Sequence, residues 1–594
     1  MILKFLNEVL DGVSKPGRYV GGECNSVVKD VDNVRTRVCL LFPDTYEIGM
    51  SNFGLKVLYW VLNGIEGVWA ERAYLPWIDM IKIMKKKKIP LFTLESKTLL
   101  KHMDIVGISM QYEMSYTNVL HTLNLSDIPL LAEHRSEDDP IVIAGGPCTS
   151  NPEVMAPVFD AMVIGDGEEA VVEIVNVLSA MRGRPRWERV ETLSSIEGVY
   201  VPLLYGGARK RPYPLFSWVP KRVKRRIVKD LNQSAFPVKD VVPHIDVIHN
   251  RGIIEVMRGC SRGCRFCQAG MIYRPVRERY ARTVVSIAKE LLDTTGYEEI
   301  ALLSLSTADH SNLAELLASM ASIAREKSIS LSIPSTRLDS FNDLMRNIAS
   351  GTRKTGLTFA PEAATQRLRN VINKNITQED LFRTLQDARK FGWERVKLYF
   401  MIGLPTETDR DISEISKVLR EVKKMGFRKI SVSVSPFIPK PHTPFQFAEQ
   451  MDVEYIQHVE TVLRPARSFA SVKIHNPEMS VVEGVLSRGD RKLFKGVLSA
   501  FENGCIFDNW EGVFIPEKWW EAFERSNVSI QEYLRARKFE ESLPWDHIDV
   551  GVTKEFLVLE YKKAIAGLTT PDCRRLCSAC GVCTNDISNV VEKR

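Results

Sequence analysis

The sequence runs to 594 residues, several times the ~150 of a typical domain, so several domains are expected. Its 44% hydrophobic and 26% charged content excludes a collagenous, mucin-like or mainly disordered chain. A net charge of +6 is too mild to mark a nucleic-acid binder by itself, so where the charge sits matters more than its sum. No uninterrupted apolar run reaches the ~18 residues of a membrane span, so no membrane partner is expected. The opening residues carry Lys4, Glu8 and Asp11 and do not read as a signal peptide.

After an N-terminal extension over 1–25, residues 26–180 alternate short β-rich runs with helical periodicity. Arg37 to Phe42, Asp104 to Met110, Pro140 to Ala144 and Asp160 to Ile164 read as strands. A helix carrying Leu55, Leu58 and Leu62 closes at Asn63-Gly64. Parallel strands joined by helices predict a doubly wound, Rossmann-like sheet with a ligand crevice at the strand C-termini. The loops there include Gly145-Gly146-Pro147 and Gly165-Asp166-Gly167-Glu168.

A connector over 181–245 follows. Its segment Arg209 to Lys229 holds nine Lys or Arg and no acidic residue, with Tyr213, Phe216 and Trp218 interleaved. Cations that neutralise phosphates beside aromatics that stack bases make this a candidate RNA-binding strip. A solvated crossing between domains is the plainer reading.

Residues 246–450 alternate again, with candidate strands at Ile253–Val256, Ile300–Leu305, Ile329–Ile333, Gly356–Ala360, Val396–Ile402 and Ile430–Val434. One helix begins at the capping-box-like Thr377-Gln378-Glu379-Asp380, and another runs from Asp411 to Gly426. Six units predict a partial (β/α)6 barrel. Residues 451–570 turn mainly helical, and 571–594 form a cysteine-rich tail.

Seven of the eleven cysteines fall into two tight groups, Cys260, Cys264 and Cys267, then Cys573, Cys577, Cys580 and Cys583. Such spacing suits convergence on a metal, and thiolate ligands imply a reducing, cytoplasmic setting. Cys24, Cys39, Cys148 and Cys505 are scattered and expected to be buried thiols. The first group supplies three thiolates, one short of saturating a [4Fe–4S] cluster. A structural zinc would want a fourth ligand nearby.

With Phe266 before the last cysteine, Cys260-Ser-Arg-Gly-Cys264-Arg-Phe-Cys267 resembles the radical S-adenosylmethionine (SAM) superfamily. The resemblance implies that Cys260, Cys264 and Cys267 hold a [4Fe–4S] cluster whose open iron binds SAM, with no catalytic side chain beyond cluster and SAM. It implies SAM contacts from Phe266, Ser304, Ser306, Ser335, Arg337, Glu362, Gly403 and Pro405, at strand ends including Phe359-Ala-Pro-Glu362 and Met401-Ile-Gly403-Leu-Pro405. Pro436 to Pro444 looks like the sixth-strand tail of methylthiotransferase-like and cobalamin-dependent members. An electron from the reduced cluster would cleave SAM to a 5′-deoxyadenosyl radical that takes a substrate hydrogen, and a flavodoxin or ferredoxin would supply the electron.

The N-terminal region, with PDTYEIGMSNFG, VGISMQYEMSYTNVL and the two glycine loops, resembles the cobalamin-binding domain fused to many radical SAM enzymes. That implies corrin contacts from Ser109, Gly145, Gly146, Gly165, Gly167 and Glu168. The Asp-x-His-x-x-Gly motif is absent, and His102, His121 and His134 lack its setting, so cobalamin is expected without a protein histidine on cobalt. A nicotinamide site is disfavoured, because no GxGxxG follows the first strand. The implied reaction is methylation of an unactivated carbon, with RNA the leading substrate. A methylthiotransferase-like enzyme without cobalamin, and a non-catalytic iron–sulfur sensor or RNA-binding protein, are the rivals. The tail cysteines predict a second [4Fe–4S] cluster or a zinc, with Gly581 allowing a tight turn.

Overall fold

The computed structural model describes residues 1–207, 211–333, 357–584 and 587–591. Its N-terminal sheet comprises β1 (Thr36–Phe42), β2 (Val68–Tyr74), β3 (Ile105–Ser109), β4 (Ile141–Gly145), β5 (Ala161–Val163) and β6 (Val199–Tyr200), in the order 2-1-3-4-5-6. All neighbours pair parallel except the antiparallel β5–β6. The four strands expected from the sequence are all present, as is helix α1 (Phe53–Asn63), whose N-cap Asn52 accepts from the Leu55 amide. Strand β2 was not legible, because Glu71 and Arg72 interrupt its apolar pattern. Both are buried and paired: Arg72 binds Glu23 and Glu95, and Arg37 binds Glu71. A strand can bury charge only when each charge finds a partner.

The six expected barrel strands also form. β8 (Gly252–Glu255), β9 (Glu299–Leu303) and β10 (Ser330–Ser332) make one parallel sheet. β11 (Leu357–Glu362), β12 (Arg395–Ile402) and β13 (Lys429–Pro436) make another. The expected residues Gly356, Ser335 and Arg337 lie outside the described residues. Helices α2 (Gln378–Lys390) and α3 (Asp409–Lys424) both carry capping boxes, the first on Thr377 and Asp380 as its sequence indicates.

The region after residue 451 differs from its sequence reading in two ways. It contributes a further parallel strand, β14 (Ser471–Ile474), beside β13. Its helices, including Pro477–Ser487 and Pro516–Arg525, share one apolar core with the N-terminal sheet, where Trp519 and Trp545 are fully buried. Thr117 donates to Asp508 at 2.6 Å across that contact, and Trp77 meets Trp510 edge-on at 5.3 Å. The C-terminal region therefore clasps both α/β units.

The connector is knitted into this frame. Strand β7 (Val223–Lys224) pairs with β15 (Ile548–Asp549), and Arg226 bridges to Gly165 beyond β5. No helix among the described residues is long and apolar enough to cross a membrane. Of the scattered cysteines, Cys39, Cys148 and Cys505 are buried as expected, whereas Cys24 is exposed, held by a backbone bridge to Val242. Main-chain pairing at a domain seam fixed that residue without burying its thiol.

Candidate functional site

The chain leaves β8 through Met257–Arg258, which pairs antiparallel with Arg277–Glu278, and turns into the first cysteine loop at Gly259. At φ +85° a Cβ there would lie 2.3 Å from the Pro275 carbonyl, so only glycine fits. The loop is pinned from inside. Arg265, fully buried, donates to the carbonyls of Asn370, Val371 and Leu568 and pairs with Glu560 at 3.0 Å. Asn373 donates to the Gly263 carbonyl, and Arg262 pairs with Asp309. Ser306 donates to the same Asp309 at 2.6 Å, while Ser304 and Thr307 share a hydrogen bond of 2.8 Å. The two predicted serines thus stand behind the loop, one step from its arginine.

Cys260, Cys264 and Cys267 are all partly accessible, and no disulfide joins any of the eleven cysteines. Burial pushes the Cys267 thiol up to about 12, with Cys264 and Cys260 adding and Lys374 opposing. The three sulfurs therefore feel one another, and cationic iron would relieve the repulsion among their thiolates. Among the described residues no three His, Cys, Asp or Glu side chains converge closely enough for a single metal ion. A cubane cluster spaces its thiolates more widely than one ion does, and the donor set fits the cluster.

Phe266 and Met401, both partly buried, pack against an apolar cluster that includes Val371, Ile372, Leu404 and Phe437. Glu362, in a left-handed conformation (φ +66°) where β11 shifts register, pairs with Lys374 at 3.1 Å. Because Lys374 also acts on Cys267, Glu362 stands on the cysteine side of the barrel. Gly403 (φ +76°) makes the turn after β12, its amide donating to Glu407, with Pro405 partly exposed beside it. These positions ring the barrel mouth at the C-terminal ends of the strands, where parallel-strand enzymes place their ligands.

Between this mouth and the N-terminal sheet lies a cavity of about 540 Å³, within the range of cofactor sites. Ser109, Gly145, Gly146, Gly165, Gly167 and Glu168 all line it, facing Ser304 and the segment Met257–Gly259 that leads into the cysteine loop. Leu55, Leu58, Ile108 and Ile143 make much of its wall apolar. The glycines serve different needs. A Cβ on Gly145 would meet nothing within 4 Å, so the open space begins there. One on Gly165 would come 2.2 Å from the Arg226 carbonyl, so that glycine is required by the crossing connector. His102, His121 and His134 are not among the lining residues; His121 is instead bonded to the Cys505 carbonyl and held down to about 4 by burial. His249, unremarked in the sequence, is a lining residue.

Sequence reasoning also missed the bolts that hold the two walls together. Arg258 pairs with Glu168 at 2.6 Å, Glu255 at 2.8 Å and Asp166 at 3.1 Å, and Arg277 reaches Asp166 at 2.5 Å. Burial alone would raise the Asp166 carboxyl, but Arg258 and Arg277 hold it well below the ordinary carboxylate range. Lys440, from the segment after β13, pairs with Glu113 and Glu483, both at 2.8 Å. Their signal in the sequence was charge inside otherwise apolar or motif-bearing runs.

The tail brings its cysteines together against the first loop. The Cys573 amide donates to the Ser261 carbonyl at 3.0 Å, and Ser261 donates to Asp572 at 2.9 Å. Burial raises the Cys573 thiol to about 11, with Asp572, Cys580 and Cys583 adding, and Cys583 is raised by burial and by Cys580 and Cys577. Gly581 sits at φ +96° as the tight turn requires. The connector's cations divide. Arg225 is buried and Arg226 pairs with Glu169 and Glu173, whereas Lys221, Arg222, Lys224 and Lys229 are exposed. Arg209 and Lys210 lie outside the described residues.

Comparison with known proteins accords with this arrangement. The family described as radical SAM proteins, N-terminal, matches residues 54–202, and the radical SAM superfamily matches residues 254–419, together just over half the chain. An uncharacterized protein of Methanocaldococcus jannaschii is 28% identical over 499 residues, covering 81% of this chain and 97% of its own. The tRNA-2-methylthio-N(6)-dimethylallyladenosine synthase of Ehrlichia chaffeensis is 25% identical over 261 residues, 40% of this chain and 58% of its own. Among solved structures, the radical SAM methyltransferase TsrM of Kitasatospora setae, with cobalamin and a [4Fe-4S] cluster bound, superposes with a TM-score of 0.49 at 14% identity, covering 70% of this chain and 77% of its own. With its three-cysteine loop at the mouth of a parallel β/α unit and both matching domains in order, the chain is a radical SAM enzyme and belongs to the radical SAM superfamily.

Proposed function

We propose that the protein is a cobalamin-dependent radical SAM methyltransferase acting on an unactivated carbon of an RNA in the reducing cytoplasm. One observation carries the reading: the six residues expected to touch a corrin line a single cavity that opens onto Ser304 and the approach to the cysteine loop. Bound in their sites, the [4Fe–4S] cluster supplies the electron for SAM cleavage, drawn from a flavodoxin or ferredoxin, and cobalamin carries the methyl group. The chain's own residues do the rest. Cys260, Cys264 and Cys267 hold the cluster; Arg265 and Asn373 fix their loop. Phe266, Ser304, Ser306, Glu362, Gly403 and Pro405 surround SAM, with Ser335 and Arg337 assigned from sequence alone. The apolar walls at Leu55, Leu58 and Ile143 exclude water, and Arg258 locks the sheet to the barrel. Expression with excess cobalamin tests this directly. Co-purification of about one corrin per chain is expected, and recovery of none sinks methyl transfer.

The exposed Tyr213, Phe216 and Trp218 with Lys221, Arg222, Lys224 and Lys229 support an RNA substrate, as does similarity to an enzyme named for a tRNA product. That same similarity, with a second cysteine group, favours one other reading, sulfur insertion without cobalamin. We further infer that Cys573, Cys577, Cys580 and Cys583 hold a second metal centre, a [4Fe–4S] cluster in preference to zinc. A variant lacking the three barrel cysteines should retain about four irons; zinc instead would change the metal, and no metal would remove the site.

A further inference from the structure

A second cavity, about 440 Å³, shares no lining residue with the first. One wall is the connector, with Arg211, Arg222, Lys224 and Arg225; the other is formed by residues 546–555 and by Gly581, Val582 and Thr584 of the cysteine tail. Its charge is lopsided. Five cations line it, counting Lys554, against Asp546, Asp549 and Glu555. Two of those carboxylates have partners within the protein: Asp546 pairs with Lys554 at 3.0 Å, and Asp549 accepts from the Gly551 amide. Lys224 pairs with the exposed Glu197 at 3.5 Å, and Arg211 donates to the Lys221 carbonyl.

Arg225 is the informative group. It is 2% exposed; its Nε donates to the Val550 carbonyl at 2.7 Å and its Nη1 to the Ile272 carbonyl at 2.6 Å. Its Nη2 is buried with no hydrogen-bond partner. A buried guanidinium donor left unsatisfied is costly, and an anion brought within its reach would satisfy it. The cavity also takes in the start of the helix Lys554–Ile565, whose N-cap Thr553 accepts from the Phe556 amide. The first-turn amides and the positive end of the helix dipole favour an anion there as well.

We propose that this cleft seats a backbone phosphate of the RNA substrate, held by Arg225, Arg222, Arg211, Lys224 and the amides opening the helix. The inference rests on the RNA reading above and deepens it. In the same connector, between Arg211 and Arg222, Tyr213 and Trp218 are 59% and 51% exposed, and the Phe216 and Trp218 rings lie nearly parallel with centroids 5.7 Å apart. Phosphate in the cleft and bases on these rings is the arrangement of a single-strand binder. The connector thus has two tasks. Val223 and Arg226 stitch domains together, while Arg211, Arg222, Lys224 and Arg225 line the cleft.

The test is binding of a fluorescent single-stranded RNA to the full-length protein across a salt series. It compares the unaltered chain, Arg222→Gln with Lys224→Gln, Arg225→Met, and Phe216→Ala with Trp218→Ala. Each single-strand phosphate neutralised steepens the log–log salt dependence by about 0.7, so the Arg222/Lys224 variant, weakening the hold on one phosphate, should lose up to about 0.7 from the slope and bind more weakly. Inorganic pyrophosphate should compete with RNA on the unaltered protein and less on that variant. Arg225→Met should behave likewise where it folds, and the exposed pair keeps the test decisive where it does not. Unchanged affinity and slope in the Arg222/Lys224 variant, with binding lost in the aromatic variant, overturns the cleft and leaves the RNA reading standing. No RNA binding by the unaltered protein overturns both.

Discussion

Two loops in this chain share the spacing Cys-x3-Cys-x2-Cys, at 260–267 and 573–580, and they are built differently. The first is held from beneath by Arg265, which donates to the Asn370 and Val371 carbonyls, and by Asn373, which donates back to the Gly263 carbonyl of the loop, leaving the three thiols at the mouth of the barrel. The second hangs on a few contacts, the Cys573 amide to Ser261 and the Cys580 carbonyl to the Thr553 amide, with Cys577 and Cys583 exposed. Identical spacing thus occurs in two settings, a loop held by buried side chains and a tail with a fourth cysteine nearby, which under the proposed function would be an open cluster site and a closed one. Rigidity follows the task, because positioning SAM within bonding distance demands a fixed loop.

The sharpest way to break the comparison is to remove thiols from each loop in turn. Replacing Cys260, Cys264 and Cys267 with Ala should abolish 5′-deoxyadenosine formation from SAM under dithionite, whereas Cys577→Ala should slow it without abolishing it. Equal loss in both would make the two loops one site.

The ladder flanking the first loop is next in size. Asp166→Ala takes the carboxylate from the buried Arg277, while Arg258 keeps Glu168 and Glu255, and should cost roughly 3–5 kcal/mol in urea unfolding, as breaking a buried pair does. Because the folded Asp166 carboxyl is held below its ordinary value, its contribution is present above pH ~3.9 and fades as pH falls further. The gap between variant and unaltered protein should therefore narrow in acid.

A smaller effect should separate the loops dynamically. Asp572→Ala removes the acceptor for Ser261 and a partner of Arg262 and Arg574. Exchange of the Cys573 amide should quicken about tenfold, equivalent to losing one hydrogen bond. Amides around Arg265 should keep their protection.

The smallest effect concerns the turn after β12. Burial raises the Glu407 carboxyl to about 7 although Tyr455 and the Gly403 amide both donate to its Oε1. A carboxyl raised on folding favours the fold below its unfolded pKa, and that contribution is lost as pH rises through about 7. Glu407→Gln keeps the Oε1 acceptor and removes the charge, so it should match the unaltered protein at low pH and exceed its stability at pH 8. Equal urea midpoints at both pH values would assign the carboxyl no such role.

Much of this molecule was legible along the chain. Four strands of the first sheet, six of the barrel, the capping box at Thr377 and both cysteine groups announce themselves locally, because periodicity, caps and ligand spacing are properties of neighbouring residues. Strand β2 was illegible because Glu71 and Arg72 look exposed until Arg37, Glu23 and Glu95 arrive from elsewhere. The role of Gly165 is likewise invisible before Arg226 crosses it, and β14 hides in a helical region until β13 offers an edge. The same holds for the connector: nine like charges in sequence are one feature, and only folding separates the buried Arg225 and paired Arg226 from the exposed Lys221, Arg222, Lys224 and Lys229. By itself the sequence determined the elements and the donor chemistry of the cysteine loops, since short-range physics dictates both. Tertiary structure alone decided which charges are buried, which loops share a cavity, and that the cysteine tail rests on the first loop. Those depend on contacts between residues hundreds of positions apart.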